Sequence, residues 1–179
     1  MRSHVRAGDI HSCTILALEL AMNSSIGETS SGAPDWRSHL IESDASIADL
    51  LARTRRIAVL GIKTAQDSMQ PAYYVPAYVQ KAGMEIVPVP VYYPEATEIL
   101  GQPVHRTVAS IVQPVDMVNV FRRPKDVPGH VADILAARPK SVWLQLGIRN
   151  AEAAEQFARA GIDVVQDRCL LVELENVGR

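Results

Sequence analysis

Positive charge stands just beyond short apolar runs at two places in the chain. Ile57–Leu60 is closed by Gly61 and followed by Ile62 and Lys63, and Val115–Val120 is followed by Phe121-Arg122-Arg123-Pro124. A third run, Ser141–Leu146, is closed by Gly147 and Ile148. Glycine permits close backbone approach to a ligand. Lysine, and the planar fork of arginine above all, suits phosphate oxygens. Together these loops read as the parts of an anion site, although Arg122 and Arg123 could equally well be the solvated charges of an ordinary loop. Farther on, Asp167-Arg168-Cys169 brings in a thiol beside an arginine, which would lower its pKa and make it a nucleophile. The competing reading is a small hydrophobe packed in the core.

The elements that must position these residues follow from periodicity. An apolar run of four to six residues closed by Gly reads as a strand buried on both faces of a parallel sheet. Five more strands are expected after Ile57–Leu60: 85–89, a short one near Val104, 115–120, 141–146 and 163–166. Helices are expected between them. Ser43 or Asp44 caps one through Arg53, with Ile47, Leu50 and Leu51 on one face. Another starts near Tyr73, with Pro76 in its first turn, where a missing N–H costs little, and Gly83 ends it. A third spans 126–137, and Asn150 caps a fourth over 151–160, which Gly161 ends. A short tail helix closes the chain. Strands alternating with helices predict an α/β fold with a doubly wound, mostly parallel sheet. In such sheets ligands bind beyond the carboxyl ends of the strands. Pro88 and Pro90 remove ladder donors where the strand 85–89 ends, which opens that edge further.

The 179 residues suffice for a single domain, 43–179, preceded by a poorly ordered N-terminal extension, 1–42. Asn23–Pro34 is rich in Ser, Gly and Thr, the composition of a flexible linker, and Met22 is a candidate for the true start. A formal net charge of −2 gives no global attraction for nucleic acid or an anionic membrane, so neither is an expected partner. Cys13 and Cys169 lie far apart, with neither disulfide framework nor zinc spacing, which points to a reducing, cytoplasmic setting. No run reaches the roughly 20 apolar residues of a membrane span. The five histidines, His4, His11, His39, His105 and His130, show no metal spacing and no adjacent nucleophile.

The common ligands of such sheets fit poorly. There is no G-x-G-x-x-G after the first strand, and the strand 85–89 ends in Val89-Pro90-Val91-Tyr92 without the acidic residue that binds the ribose of NAD. A P-loop pattern is missing as well, which gives nucleoside triphosphate hydrolysis no support.

From Arg55 to about Cys169 the chain closely resembles the CoA-binding domain family, small free-standing Rossmann-like proteins related to the nucleotide domain of the succinyl-CoA synthetase α subunit. The residues that carry the resemblance are IAVLG (57–61), QPAYYV (70–75), IVPVP (86–90), GQPV (101–104), PVDMVNVFRRP (114–124), VWLQLGI (142–148) and VQDRC (165–169). The resemblance implies that coenzyme A lies across the carboxyl edge. Gly61, Ile62 and Lys63 would then line the phosphate loop, and Val89 and Pro90 would border the nucleoside. Phe121, Arg122 and Arg123 would flank the adenine and its phosphates, Gly147 and Ile148 would approach the pantetheine arm, and Tyr73 and Cys169 would lie within reach. Two positions depart from the family pattern. Pro90 stands where Asn is usual, which removes a side-chain hydrogen bond and a backbone donor, and Gln70 replaces a common Arg. The expectation is a protein that binds CoA or an acyl-CoA as a carrier, sensor or subunit, with no catalytic machinery and no metal. An acyl- or thiol-transfer enzyme using Cys169 is the alternative, and an NAD-type redox module is a weaker third.

Overall fold

The computed structural model describes residues 35–179. The readings of Cys13, Met22 and the linker 23–34 lie outside the described residues. Five strands form one parallel sheet: β1 (Arg56–Leu60), β2 (Glu85–Val89), β5 (Met117–Val120), β6 (Ser141–Leu144) and β7 (Asp163–Val165). Their spatial order is β2-β1-β5-β6-β7. The chain is therefore an α/β protein with a doubly wound sheet. The register brings the carboxyl ends level: Leu60 lies opposite both Val89 and Val120, and Val120 opposite Leu144. Gly61, Pro90, Phe121 and Gln145 consequently leave the sheet along one line.

The apolar runs are buried because helices cover both faces. Ala58, Leu60, Val118, Val120, Val142 and Leu144 face α3 (Val131–Ala137) and α4 (Ala151–Arg159), where Phe157 is buried. The alternate residues Ile57, Val59, Met117 and Trp143 face α1 (Asp44–Arg53), α2 (Pro71–Lys81) and α5 (Leu170–Asn176). Ser43 caps α1 as expected, its Oγ accepting from the Ser46 N–H at 3.2 Å.

Four expectations are corrected. The strand near Val104 does not join the sheet: β3 (Glu98–Ile99) and β4 (Gln102–Pro103) form a separate two-residue hairpin. Pro103 has no donor for a ladder, and one bond, from the His105 N–H to the Pro88 carbonyl (2.9 Å), ties this segment to β2. Helix α2 begins at Pro71, so Pro71 holds the first-turn position and Pro76 sits in the interior. The expected helix 126–137 is divided into a 3-10 turn, Pro124–His130, and α3, because Pro128 and Gly129 interrupt a continuous α-helix. Finally, the packed chain starts before residue 43. A 3-10 turn, Trp36–His39, precedes Leu40, which bridges to Val164, and His39 Nδ1 lies 2.8 Å from the Asp163 carboxylate.

Candidate functional site

The order of the sheet fixes where a ligand can sit. The chain leaves β1 toward β2 on one side and continues to β5 on the other, so the crevice at a topological switch point opens between the ends of β1 and β5. The two loops touch there. Gly61 has φ +85, its N–H donates to the Val89 carbonyl at 2.8 Å, and the Phe121 N–H donates to the Leu60 carbonyl at 2.9 Å. A Cβ on Gly61 would stand 2.4 Å from the Phe121 carbonyl oxygen. Only glycine fits both the backbone conformation and the space.

Lys63 is fixed by a gap in helix α2. Pro76 has no N–H, so the Ala72 carbonyl one turn earlier lacks its helical donor. The Lys63 N–H fills that position at 3.0 Å. The ammonium lies 3.9 Å from the Asp67 carboxylate and 5.6 and 5.8 Å from the ring centres of Tyr93 and Tyr92. The Tyr93 hydroxyl donates to Asp67. Burial pushes the Tyr93 phenol up, and its bond to Asp67 adds to that.

Across the crevice, the Arg122 Nε–H donates to His130 Nε2 at 3.1 Å, and its guanidinium lies 3.6 Å from Asp126 and 5.1 Å from the ring centre of Tyr92. Hydrogen bonding to Arg122 and its charge lower the Tyr92 phenol. Burial, reinforced by Arg122, lowers His130. Arg123 points outward, 66% exposed, and its Nε–H donates to Asp126 at 2.7 Å. That bond holds Asp126 below the usual carboxylate range.

These loops enclose a cleft of about 420 Å³. Of the residues singled out from the sequence, it gathers Gly61, Lys63, Phe121, Arg122, Arg123, Ile148 and Cys169. It does not gather Ile62, which is buried in the core under α2, nor Val89, which is buried on the other face. Gly147 lies outside its lining and donates its N–H to Asp167 at 2.7 Å. Tyr73 borders a neighbouring cavity of about 590 Å³, and Pro90 another of about 430 Å³. The 590 Å³ space is larger than the cleft, but among the described residues no lysine or arginine lines it.

Sequence reasoning missed the walls made by Pro71 and Ala72 at the start of α2, by Tyr92 and by Gln145 beyond β6. Gln145 is 4% exposed, and its amide donates to Asn119 Oδ1 at 2.9 Å and accepts from the Leu170 N–H at 3.3 Å. Two polar residues, Asn119 and Gln145, at the ends of otherwise apolar strands were the signal available. Asp167 and Arg168, neighbours in sequence, form no ion pair with each other. Arg168 instead reaches Glu173 of α5 at 3.0 Å and Asp44 of α1 at 3.3 Å.

Charge in the cleft is graded along the sheet. Lys63, Arg122 and Arg123, from the β1 and β5 loops, lie beside Tyr92. The far end, from the β6 loop and the start of α5, is built from Leu146, Ile148 and Cys169. Such a site can hold an elongated ligand with anionic groups at one end and an apolar or thiol-bearing tail at the other.

The family described as the CoA binding domain matches residues 55–175. The chain is 35% identical over 130 residues to protein YneT of Bacillus subtilis (strain 168), covering 73% of this chain and 93% of that protein. Among solved structures, cell-free ID.343 from Thermus thermophilus superimposes with a TM-score of 0.71 at 37% identity, covering 76% of this chain and 99% of that one. A hypothetical protein from Pyrococcus horikoshii OT3 gives a TM-score of 0.69 at 27% identity over 77% of this chain and 94% of its own.

Proposed function

The chain belongs to the CoA-binding domain family, and from that premise we propose that it binds coenzyme A or an acyl-CoA in the 420 Å³ cleft and acts in the cytoplasm as a carrier, sensor or subunit. The observation that carries this reading is the contact of the Gly61 and Phe121 loops at the switch point, with cations on one side of the cleft and apolar groups on the other. In this pose the phosphates lie toward Lys63, Arg122 and Arg123, where the arginine forks match their oxygens. The pantetheine arm runs along the β6 loop, past Gln145, Leu146 and Ile148, and its thiol or thioester ends near Cys169. A ribose 3′-phosphate needs no acidic clamp, consistent with a β2 that ends in Val89-Pro90-Val91-Tyr92, without Asp or Glu at the strand end. Tyr73 and Pro90 border cavities beside the cleft and are proposed to meet the adenosine end.

Calorimetric titration with CoA tests this. Micromolar binding that weakens with added salt is expected, because salt screens the attraction between the cleft cations and the phosphates, and the Arg122→Ala/Arg123→Ala double variant should bind several-fold more weakly. Unchanged affinity in the double variant refutes the phosphate assignment.

The position of Cys169 in the cleft favours one second reading, thioester transfer. The Cys169 thiolate would attack the acyl carbonyl, the acyl group would pass to the cysteine sulfur, and CoA would leave as its thiolate and take up a proton. Mass spectrometry after incubation with an acyl-CoA should then show one acyl adduct that Cys169→Ser abolishes. No adduct at all removes this reading.

A further inference from the structure

Arg122 is the best-fixed cation of the cleft, with a side chain only 11% exposed, and what fixes it is a histidine. A guanidinium has donors only. For its Nε–H to bond His130 Nε2 at 3.1 Å, that nitrogen must offer its lone pair. The imidazole is therefore neutral, with its proton on Nδ1. Arg122 spends its inner nitrogen on the histidine and keeps its terminal nitrogens for Asp126 and the cleft.

We propose that His130 is a positioning residue for the phosphate grip: as a neutral acceptor it holds Arg122 toward the cleft, and when protonated it releases it, so that ligand affinity follows the ionisation of His130. This rests on the CoA reading above. A protonated imidazole has no lone pair for Arg122 and places a second positive charge against the guanidinium. The charged groups that face His130 are Arg122 from the β5 loop, Asp126 from its own turn and Asp133 from α3. Both acids are engaged. Asp126 takes the Arg123 Nε–H at 2.7 Å, and Asp133 accepts the N–H groups of Val108 and Ala109, each at 2.9 Å. Arg106 shares the 430 Å³ cavity behind His130 and is held there by the carbonyls of Tyr93, Pro94 and Ala96 at 2.9, 2.7 and 2.6 Å. That cavity gives solvent protons a route to the ring. Burial and Arg122 both disfavour the charged imidazole, in keeping with the geometry.

Two measurements on the full chain test the idea. Nitrogen NMR of the ligand-free protein should find His130 as the Nδ1–H tautomer at pH 7.5, titrating below 6.5. The affinity for dephospho-CoA, which lacks the 3′-phosphate whose own ionisation falls near pH 6, should then be measured at pH 7.5 and 5.0. If only the neutral form binds well, affinity falls on acidification in proportion to the neutral fraction, by no more than about thirtyfold, the limit set by an ordinary imidazole pKa of about 6.5. His130→Gln keeps an acceptor without the titration, so it should bind like the wild type at pH 7.5 and lose most of the pH dependence. His130→Ala should bind more weakly at both. An Nε2–H tautomer, a pKa at or above 6.5, tighter binding at pH 5.0, or a His130→Gln variant with the wild-type pH dependence each overturns the inference and leaves the CoA reading intact. Failure of the wild type to bind CoA or dephospho-CoA at either pH overturns the CoA reading and the coupling with it, and the NMR result then reports on the clamp alone.

Discussion

Replacing Gly61 by alanine tests whether contact between the two loops makes the site. Two costs add at this position. At φ +85 an L-residue is in left-handed backbone, which costs about 1–2 kcal/mol. The new Cβ would also stand 2.4 Å from the Phe121 carbonyl oxygen, and since this is backbone rather than a flexible side chain, one loop must move away. Forced repacking of that kind costs about 1–3 kcal/mol. Alanine restrains the unfolded chain and returns about 0.4–1 kcal/mol, leaving a net loss of about 1–4.5 kcal/mol. Gly147 and Gly161 supply the controls. They have φ +78 and +77, and a Cβ at either meets nothing within 4 Å. Their alanine variants carry only the backbone cost, a net loss of about 1.5 kcal/mol or less. Urea unfolding of the three variants measures the difference, and CoA titration measures its effect at the cleft. Gly61→Ala should be the least stable by about 1–3 kcal/mol and should bind CoA at least about tenfold more weakly, because Arg122 follows Phe121 directly. If Gly61→Ala is no less stable than Gly161→Ala, the loops do not need their close contact, and the switch point does not make the site.

Pro76→Ala supplies an N–H that competes with Lys63 for the Ala72 carbonyl. Faster amide exchange at Lys63 and weaker CoA binding are expected, with helix α2 intact by circular dichroism. Exchange at the wild-type rate would show that the proline does not hold the lysine loop. Asp116 gives the acid limit of stability. Burial raises its pKa, but the Lys140 ammonium at 2.8 Å and the N–H groups of Arg56 and Arg55 outweigh this and bring it below 3.8. A carboxyl depressed on folding stabilises the protein above its unfolded pKa and loses that contribution as pH falls through the folded value. Asp116→Asn should therefore lower the urea midpoint at pH 7 and flatten its fall below about pH 4. His130 behaves the same way at higher pH. Its charged form is disfavoured in the fold, so its contribution is complete above about 6.5 and shrinks as pH falls below that value, a slope that His130→Gln should remove. In a thermal-shift panel, CoA or acetyl-CoA should raise the melting temperature more than NAD or ATP, and an equal response to all four would argue against the family's ligand in this cleft.

Local physics in the sequence was enough for the framework. The four-residue apolar run closed by Gly61 matches a strand buried on both faces, and Ser43, Asn150 and Gly161 mark helix ends by hydrogen bonding and backbone freedom alone. The residues just past β1 and β5 were legible as cleft residues for the same reason: Gly61, Lys63 and Arg122 stand at strand ends, and strand ends of a parallel sheet converge. Which loops touch was decided by the order β2-β1-β5-β6-β7, a long-range property that no window of sequence contains. Tyr73 turns into a neighbouring cavity because α2 starts at Pro71 and turns its faces accordingly, and Ile62, two residues past β1, is buried in the core. The partner of Arg122 was beyond any spacing argument. Pro128 and Gly129 keep the segment before α3 in a 3-10 turn, and that turn sets His130 against the arginine.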